Sequence, residues 1–567
     1  MNSALLALLA LIGYVIAYYT YGKFIGKKLL SISDKNLMPA HEFRDEIDFV
    51  PARKSIVFGH HFTTIAGLGP IVGPAIGIIW GWVPAFLWVF LGSIFMGAVH
   101  DFTTLVVSAR NRGITIGELT GRIISPSTRF ALQFIMQLLL FIVLAVFAMI
   151  VGTLFYIYPE SVIPVWLQIP IAIWLGRELR KGKNEFLYVA ISVLLMYGGI
   201  ILGVKLPVVL PGDQQTVIVT WCLLLFIYVF FASTTPVQVL LQPRDYINSQ
   251  QLLVAVVLIM AGLAIAHPMI TAPAFNEYAF AEDTDVPSMA PIMFIIIACG
   301  AISGFHSLAS SGTTVKQVNK ESDTWFIGYG GMITESFFAV LVLMAIGGGL
   351  GMGLVVDGNL LTGTDAFQHH YSSWSSANGL GAKLDAFITG GANLLGAIGI
   401  PPKFGAAMIS VFIVSFANTT LDSAARIQRL SLQEICKNKQ GIVRKPMDNR
   451  YVSTAVIVLL AAGMTFLKPG GQGAMMLWPL FGSLNQLMAA LALGVVTVYL
   501  HTKNIPIVYT LVPMVFVLIV TLWAMVENGM IFYQQHEYLL AGLSILIILL
   551  TSWLTISSAV ALLKKVR

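Results

Sequence analysis

Long apolar runs, each bounded by charged or turn-forming residues, recur from one end of this 567-residue chain to the other. A helix of about 20 consecutive apolar residues crosses the hydrocarbon core of a bilayer. The runs between charge clusters predict about 15 such helices. They fall at 3–20, 55–78, 82–108, 130–156, 162–176, 186–204, 216–236, 252–268, 290–313, 325–350, 403–425, 452–467, 474–500, 506–526 and 538–563. The run at 162–176 is short, and a weaker apolar stretch at 384–400 reads as a re-entrant or surface helix. The pattern is that of an all-α polytopic protein embedded in a lipid bilayer.

Charge adds an orientation. Alternate loops hold Lys23/Lys27/Lys28/Lys35, Arg110/Arg112/Arg122/Arg129, Arg177/Arg180/Lys181/Lys183, Arg244, Lys316/Lys320, the cluster from Arg426 to Arg450, Lys503, and the tail Lys564/Lys565/Arg567. Of the 33 basic residues, only Lys205, Lys383, Lys403 and Lys468 fall on the other side. The excess of Lys and Arg in cytoplasmic loops then places the N-terminus outside and the C-terminus in the cytoplasm. The net charge of +6 belongs to these flanks, so it does not point to nucleic acid. The run from Ala4 to Tyr18 has no basic residue before it and no small-residue cleavage pattern after it, and reads as a retained first span. Three separated cysteines imply no disulfide framework.

Two segments break the apolar pattern. Phe58-Gly-His-His-Phe-Thr-Thr-Ile-Ala-Gly-Leu-Gly-Pro-Ile-Val-Gly-Pro74 places histidines, threonines, glycines and prolines inside a membrane span. Gly304-Phe-His-Ser-Leu-Ala-Ser-Ser-Gly-Thr-Thr314 does the same, and both fit Gly-x-His-x5-Gly. The offset that carries His61 onto His306 also carries 82–108 onto 327–353. The two segments thread the membrane in opposite directions. Interrupted helices at equivalent places in two halves point to a transporter binding site. Five-helix halves would occupy 55–204 and 290–500, with a first span and loop at 1–54, linking helices at 205–289 and C-terminal helices at 501–567. This is the 5+5 inverted repeat, with accessory helices, of a LeuT-like transporter.

Ionisable groups inside a membrane are costly and mark pathways or sites. The set here is His60, His61, His100, Asp101, His306, Glu335 and Asp422. For substrate, the candidates are His61, Thr63, Thr64, Gly67, Gly304, His306, Ser307 and Ser310, grouped around the interrupted helices. For a coupling proton or sodium they are His60, His100, Asp101, Thr419, Thr420, Asp422 and Ser423, where hydroxyl and carboxylate oxygens gather. Glu335 reads equally as a packing contact, Lys316 as an interfacial charge, and Asn485 and Gln486 as cavity or interhelical groups. Adjacent His60 and His61 cannot share a helix face as a metal pair would, so no metal and no cofactor is expected. A membrane-embedded metal-dependent enzyme using His60, His61, His100 and His306 is the alternative from another class, and a nutrient sensor is a third.

The same residues carry a resemblance. Phe58 to Pro74, Ile302-Ser-Gly-Phe-His-Ser-Leu-Ala-Ser-Ser-Gly-Thr-Thr314, Thr420-Leu-Asp-Ser-Ala-Ala-Arg426 and Trp478-Pro-Leu-Phe-Gly482 closely resemble the signatures of the carbon starvation protein A family. Asp48-Phe-Val-Pro51 with Lys54 is similar to the lead-in to its first motif. The resemblance implies a bacterial inner-membrane transporter of the amino acid/polyamine/organocation superfamily, importing pyruvate or short peptides when carbon is scarce, with a proton as the expected coupling ion. It implies no enzyme activity.

Overall fold

The computed structural model describes residues 1–281, 283–377, 380–438 and 440–563. The basic tail Lys564, Lys565 and Arg567 lies outside the described residues. Among the described residues, 13 helices are long and apolar enough to cross a membrane. They are α1 (Ser3–Leu29), α2 (Lys54–Trp80), α3 (Trp82–Arg110), α4 (Pro126–Ile157), α5 (Pro159–Arg180), α6 (Glu185–Lys205), α7 (Gln214–Thr234), α8 (Leu241–Ala266), α10 (Trp325–Met352), α12 (Pro402–Ile435), α14 (Pro469–Thr502), α15 (Val508–Gln534) and α16 (Tyr538–Leu563). Between them lie α9, broken into Met289–Ile296, Ala298–Ala301 and Gly304–Gly312, then α11 (Leu380–Ala397) and the short apolar α13 (Arg450–Thr465). The long helices, broken α9 and α13 together match the expected spans one for one.

Local chemistry sets the ends. Ser125, Asn184, Asp213 and Asn449 each accept a hydrogen bond from a first-turn N–H, which satisfies donors that have no partner within the helix. Pro126 and Pro402 occupy first-turn positions, where a missing N–H costs nothing.

Three expectations change. Helix α8 begins at Leu241 and not near 252, because its polar first turns, including Arg244, Asp245 and Asn248, are buried against protein. Hydropathy counts such a segment as loop, so Arg244 is an interior group and not an orienting charge. The stretch at 384–400 is no surface helix. Leu384, Phe387 and Leu394 of α11 are buried, and Gly390 lies so close to α10 that an added Cβ would stand 2.1 Å from the Ala345 carbonyl oxygen. The loop 351–383 has structure of its own. It carries an antiparallel hairpin of β1 (Leu354–Val356) and β2 (Asn359–Leu361). Asp357 and Gly358 at the turn both have positive φ, the conformation that suits a two-residue hairpin.

The loop contacts fall into two groups. On the basic side Glu321 accepts from Asn36, the Ser33 N–H and Arg110. There the lead-in to α2 is strapped down. The Val50 and Ala52 N–H groups donate to the carbonyls of Lys316 and Gln317, and Asp48 pairs with Arg426 at 2.6 Å and Arg429 at 3.0 Å. Burial opposes charge on Asp48, but Arg429 and Arg426 hold its carboxyl well below the usual carboxylate range. Both arginines belong to α12, so the first two charges of the cluster that the sequence pattern places in a loop are helical. On the opposite side Trp82 N–H donates to Pro273, Tyr371 to the Ala75 carbonyl, and the Trp374 N–H to Asp285. That N–H holds Asp285 below the usual range.

Helices α2 and α9 are interrupted at the centre of the bundle. Helix α2 has a leading arm, Lys54–Ala66, and a trailing arm, Gly69–Gly77. Gly67, between them, has φ +40° and ψ −137°, and an added Cβ would meet Thr420 Oγ1 at 2.6 Å. Only glycine suits both constraints. In α9 the helix stops at Ile302 and Ser303, which are extended, and restarts at Gly304. The two helices run antiparallel. His61 meets Thr314, while Gly69 packs on Cys299 and Gly73 on the backbone of Ile296 and Ile297.

A Cβ on Gly304 would lie 2.2 Å from the Asn485 carbonyl oxygen. Gly304→Ala is therefore expected to lower unfolding stability in detergent by about 1–3 kcal/mol, the usual cost of overpacking. Gly396→Ala, with nothing within 4 Å, serves as the control. Equal melting temperatures for the two variants would contradict the close packing described.

Candidate functional site

A cavity of about 320 Å³ reaches from the loops that carry Asp285 and Trp374 to both helix breaks. Asp285 and Trp374 stand in its wall, as do Leu68 and Gly69 at the α2 break, Cys299 beside the α9 break, and Asn485 of α14. Gly69 and Cys299 are partly exposed although nearly everything around them is buried. Asn485 completes the α9 break. Its Oδ1 accepts from Ser303 Oγ at 3.2 Å and from the Phe305 N–H at 2.8 Å. Such a partner lets irregular backbone persist at membrane depth. The Trp478-Pro-Leu-Phe-Gly482 segment supplies an aromatic wall, and the buried Lys383 ammonium lies 5.2 Å over the Trp478 ring.

Behind the breaks, toward the basic side, lies a fully buried acid–imidazole chain. Asp101 of α3 takes His100 Nδ1 on Oδ1 at 2.7 Å and His306 Nδ1 on Oδ2 at 2.8 Å. His306 Nε2 faces Glu335 of α10 at 3.4 Å, and neither Glu335 oxygen has a hydrogen-bond partner among the described residues. His61 sits apart from this chain, with Nδ1 3.0 Å from Thr314 Oγ1 and its ring lodged against Gly331, where an added Cβ would be 3.0 Å from Cδ2. Two imidazoles and two carboxylates reach low net charge in several proton arrangements. Protons can therefore move along the chain without charging a low-dielectric interior.

A second polar cluster ties α12 to the linking helices. Arg244 donates to Asp422, Tyr228 and Thr419, the last at 2.7 Å. Tyr228 donates to Asp422 at 2.8 Å, Asn248 donates to Thr419 at 2.6 Å, and Gln168 donates to Asn248. One residue away, His60 Nδ1 pairs with Asp245 at 2.5 Å. Thr64 Oγ1 meets Ser423 Oγ at 3.1 Å, and Thr420 donates to the Thr64 carbonyl at 3.4 Å.

The sequence-derived candidates thus divide. His100, Asp101 and His306 come together, and Glu335 joins them. Thr64, Gly67, Thr420 and Ser423 meet at the α2 break. His60, Thr419 and Asp422 turn toward α8. Thr63 bonds to the Gly59 carbonyl and Ser307 to that of Gly304, while buried Ser310 Oγ has no partner among the described residues. The cavity wall is formed by the opposite arms, so the histidines lie behind it. Lys316 is no interfacial charge, since it is buried with Nζ donating to the Gly312 carbonyl. Arg244, Asp245, Tyr228 and Asn248 were not foreseen. Their signal was Pro243-Arg-Asp-Tyr246 directly ahead of an apolar run, a charged pair with no soluble loop to hold it.

A family model described as carbon starvation protein CstA matches residues 2–524. The chain belongs to that family. The peptide transporter CstA of Mycobacterium tuberculosis is 33% identical over 538 residues, covering 87% of this chain and 70% of that one. The pyruvate/proton symporter BtsT of Escherichia coli is 32% identical over 579 residues, covering 90% and 80%. The peptide transporter CstA of Bacillus subtilis is 29% identical over 602 residues, covering 99% and 97%. Among solved structures, MhsT in complex with L-phenylalanine aligns with a TM-score of 0.49 at 14% identity, covering 84% of this chain and 98% of that one.

The wall position of Cys299 in this CstA family member makes a direct test. A small maleimide should modify Cys299 ahead of buried Cys222, read by peptide mass spectrometry, and saturating substrate should slow that modification. Labelling of Cys222 before Cys299 would contradict the cavity assignment.

Proposed function

We propose that this chain is a secondary active transporter that imports a small carboxylate nutrient by proton symport when carbon is scarce, with pyruvate as the first substrate. The carrying observation is a cavity that ends at two helix breaks with a buried acid–imidazole chain directly behind it. The names of the relatives, a pyruvate/proton symporter among them, support the same reading.

The breaks supply the recognition chemistry. The trailing arm of α2 starts at Gly69, on the cavity wall. Pro70 has no N–H and the Ile71 and Val72 N–H groups donate to the Leu68 carbonyl, so the donor left for a carboxylate is the Gly69 N–H, at the positive end of the helix dipole. Asn485 and Asn528 offer amide groups nearby. Binding there draws negative charge to the breaks, which favours a proton on the chain of His306, Asp101, His100 and Glu335. Release of both on the basic side completes the cycle. In this scheme 55–204 and 290–500 act as the two inverted halves, the basic loops face the cytoplasm, and the chain sits in the bacterial inner membrane. Short peptides form the second reading, since a cavity of about 320 Å³ exceeds what a three-carbon acid fills.

Uptake of labelled pyruvate and of a labelled dipeptide into proteoliposomes under an imposed pH gradient distinguishes the two. Glu335→Gln and His306→Ala should each cut gradient-driven accumulation about tenfold or more, equivalent to ~1.4 kcal/mol. His61→Ala should lower it less, since His61 bonds to Thr314 outside both the acid–imidazole chain and the cavity wall. Undiminished uptake of both substrates in folded variants would overturn the site assignment.

A further inference from the structure

We infer that Arg244 is a built-in cation that occupies the place of a coupling metal ion on α12, so that transport needs no sodium. The inference rests on the transporter reading above and concerns its ion specificity.

Helix α12 presents adjacent oxygen pairs suited to a small monovalent cation, Thr420 and Ser423 at the α2 break and Thr419 and Asp422 on the side toward α8. The structure fills the charged half of that set from within. The Arg244 guanidinium reaches in from α8 and donates to Asp422 and to Thr419, while Tyr228 also donates to Asp422. Arg244 is 1% exposed and Asp422 is 1% exposed. The negative charge a metal ion would neutralise is therefore already neutralised by a group that stays protonated at any working pH. What remains, Thr420, Ser423 and the Thr64 hydroxyl and carbonyl, is neutral and bonded to itself. A sodium ion placed there would gain no carboxylate and would face a guanidinium nearby. The planar fork of arginine fits two acceptors at once, which a lysine ammonium does only as a point charge. Asp245, the next residue, pairs with His60 of the α2 leading arm, so α8 reaches both α12 and the interrupted helix from one turn.

The test uses full-length protein in proteoliposomes and in detergent. Wild-type uptake under a pH gradient should be the same in choline and in sodium media, and sodium should not shift its melting temperature. Arg244→Ala exposes an uncompensated carboxylate. Its uptake in choline should fall at least about tenfold, as loss of one member of a buried pair implies, and sodium or lithium should restore it and raise its melting temperature. Arg244→Ala with Asp422→Asn should show no sodium response, and Arg244→Lys should keep part of its sodium-free uptake. Sodium-dependent wild-type uptake, a sodium-dependent wild-type melting temperature, or a folded Arg244→Ala with no sodium response would each overturn the inference and leave the transporter reading intact. No uptake of either substrate by wild type under any gradient would instead overturn that reading.

Discussion

Backbone freed from a helix inside a bilayer has to find its hydrogen bonds within the protein, because lipid offers none. The two interruptions in α2 and α9 pack on each other and take bonds from neighbouring helices, Thr420 of α12 donating to the Thr64 carbonyl. Glycines at 69 and 73 let the trailing arm of α2 touch α9, and Asn485 receives the Phe305 N–H in the first turn of the restarted α9. The cavity and the acid–imidazole chain both lie against this crossing, one on each side of it. Helix α14 matters for the same reason. It contributes the capping amide from one turn and the aromatic cavity wall from another.

Much of the helical layout was legible from hydropathy alone, because each span must be apolar where it meets lipid. That signal fades where a helix meets protein. The first turns of α8 are polar and buried, so the pattern started that helix a full three turns late and read Arg244 as a loop charge. The charged end of α12 was read the same way, although Arg426 and Arg429 are held in the helix by Asp48 from a distant loop. Pairing over such sequence separations leaves no local trace.

The site was partly legible for a different reason. Histidine and aspartate in an apolar run are conspicuous, so His306, Asp101 and His100 could be singled out and do meet. Glu335 was visible but ambiguous, and its position 3.4 Å from His306 Nε2 follows from helix packing that its residue type does not announce. The cavity wall was the least legible part. Leu68, Val72, Ile295 and Phe147 are ordinary apolar residues, and nothing in their type separates a wall that faces a solute from one that faces lipid. Asp245 shows the converse case, a carboxylate hidden by the assumption that charge near a span end lies in water.

The strap at 48–52 carries one more consequence. It joins the start of α2 to the end of α9 by two main-chain hydrogen bonds and to α12 by a doubly paired carboxylate. The histidine-bearing arms of both interrupted helices are therefore held by one clasp. A gradient-driven transporter that leaked while empty would discharge the gradient that drives it. Because main-chain bonds are insensitive to side-chain drift, this closure is protected in part against mutation, and leakiness should be a rare phenotype for substitutions in this stretch.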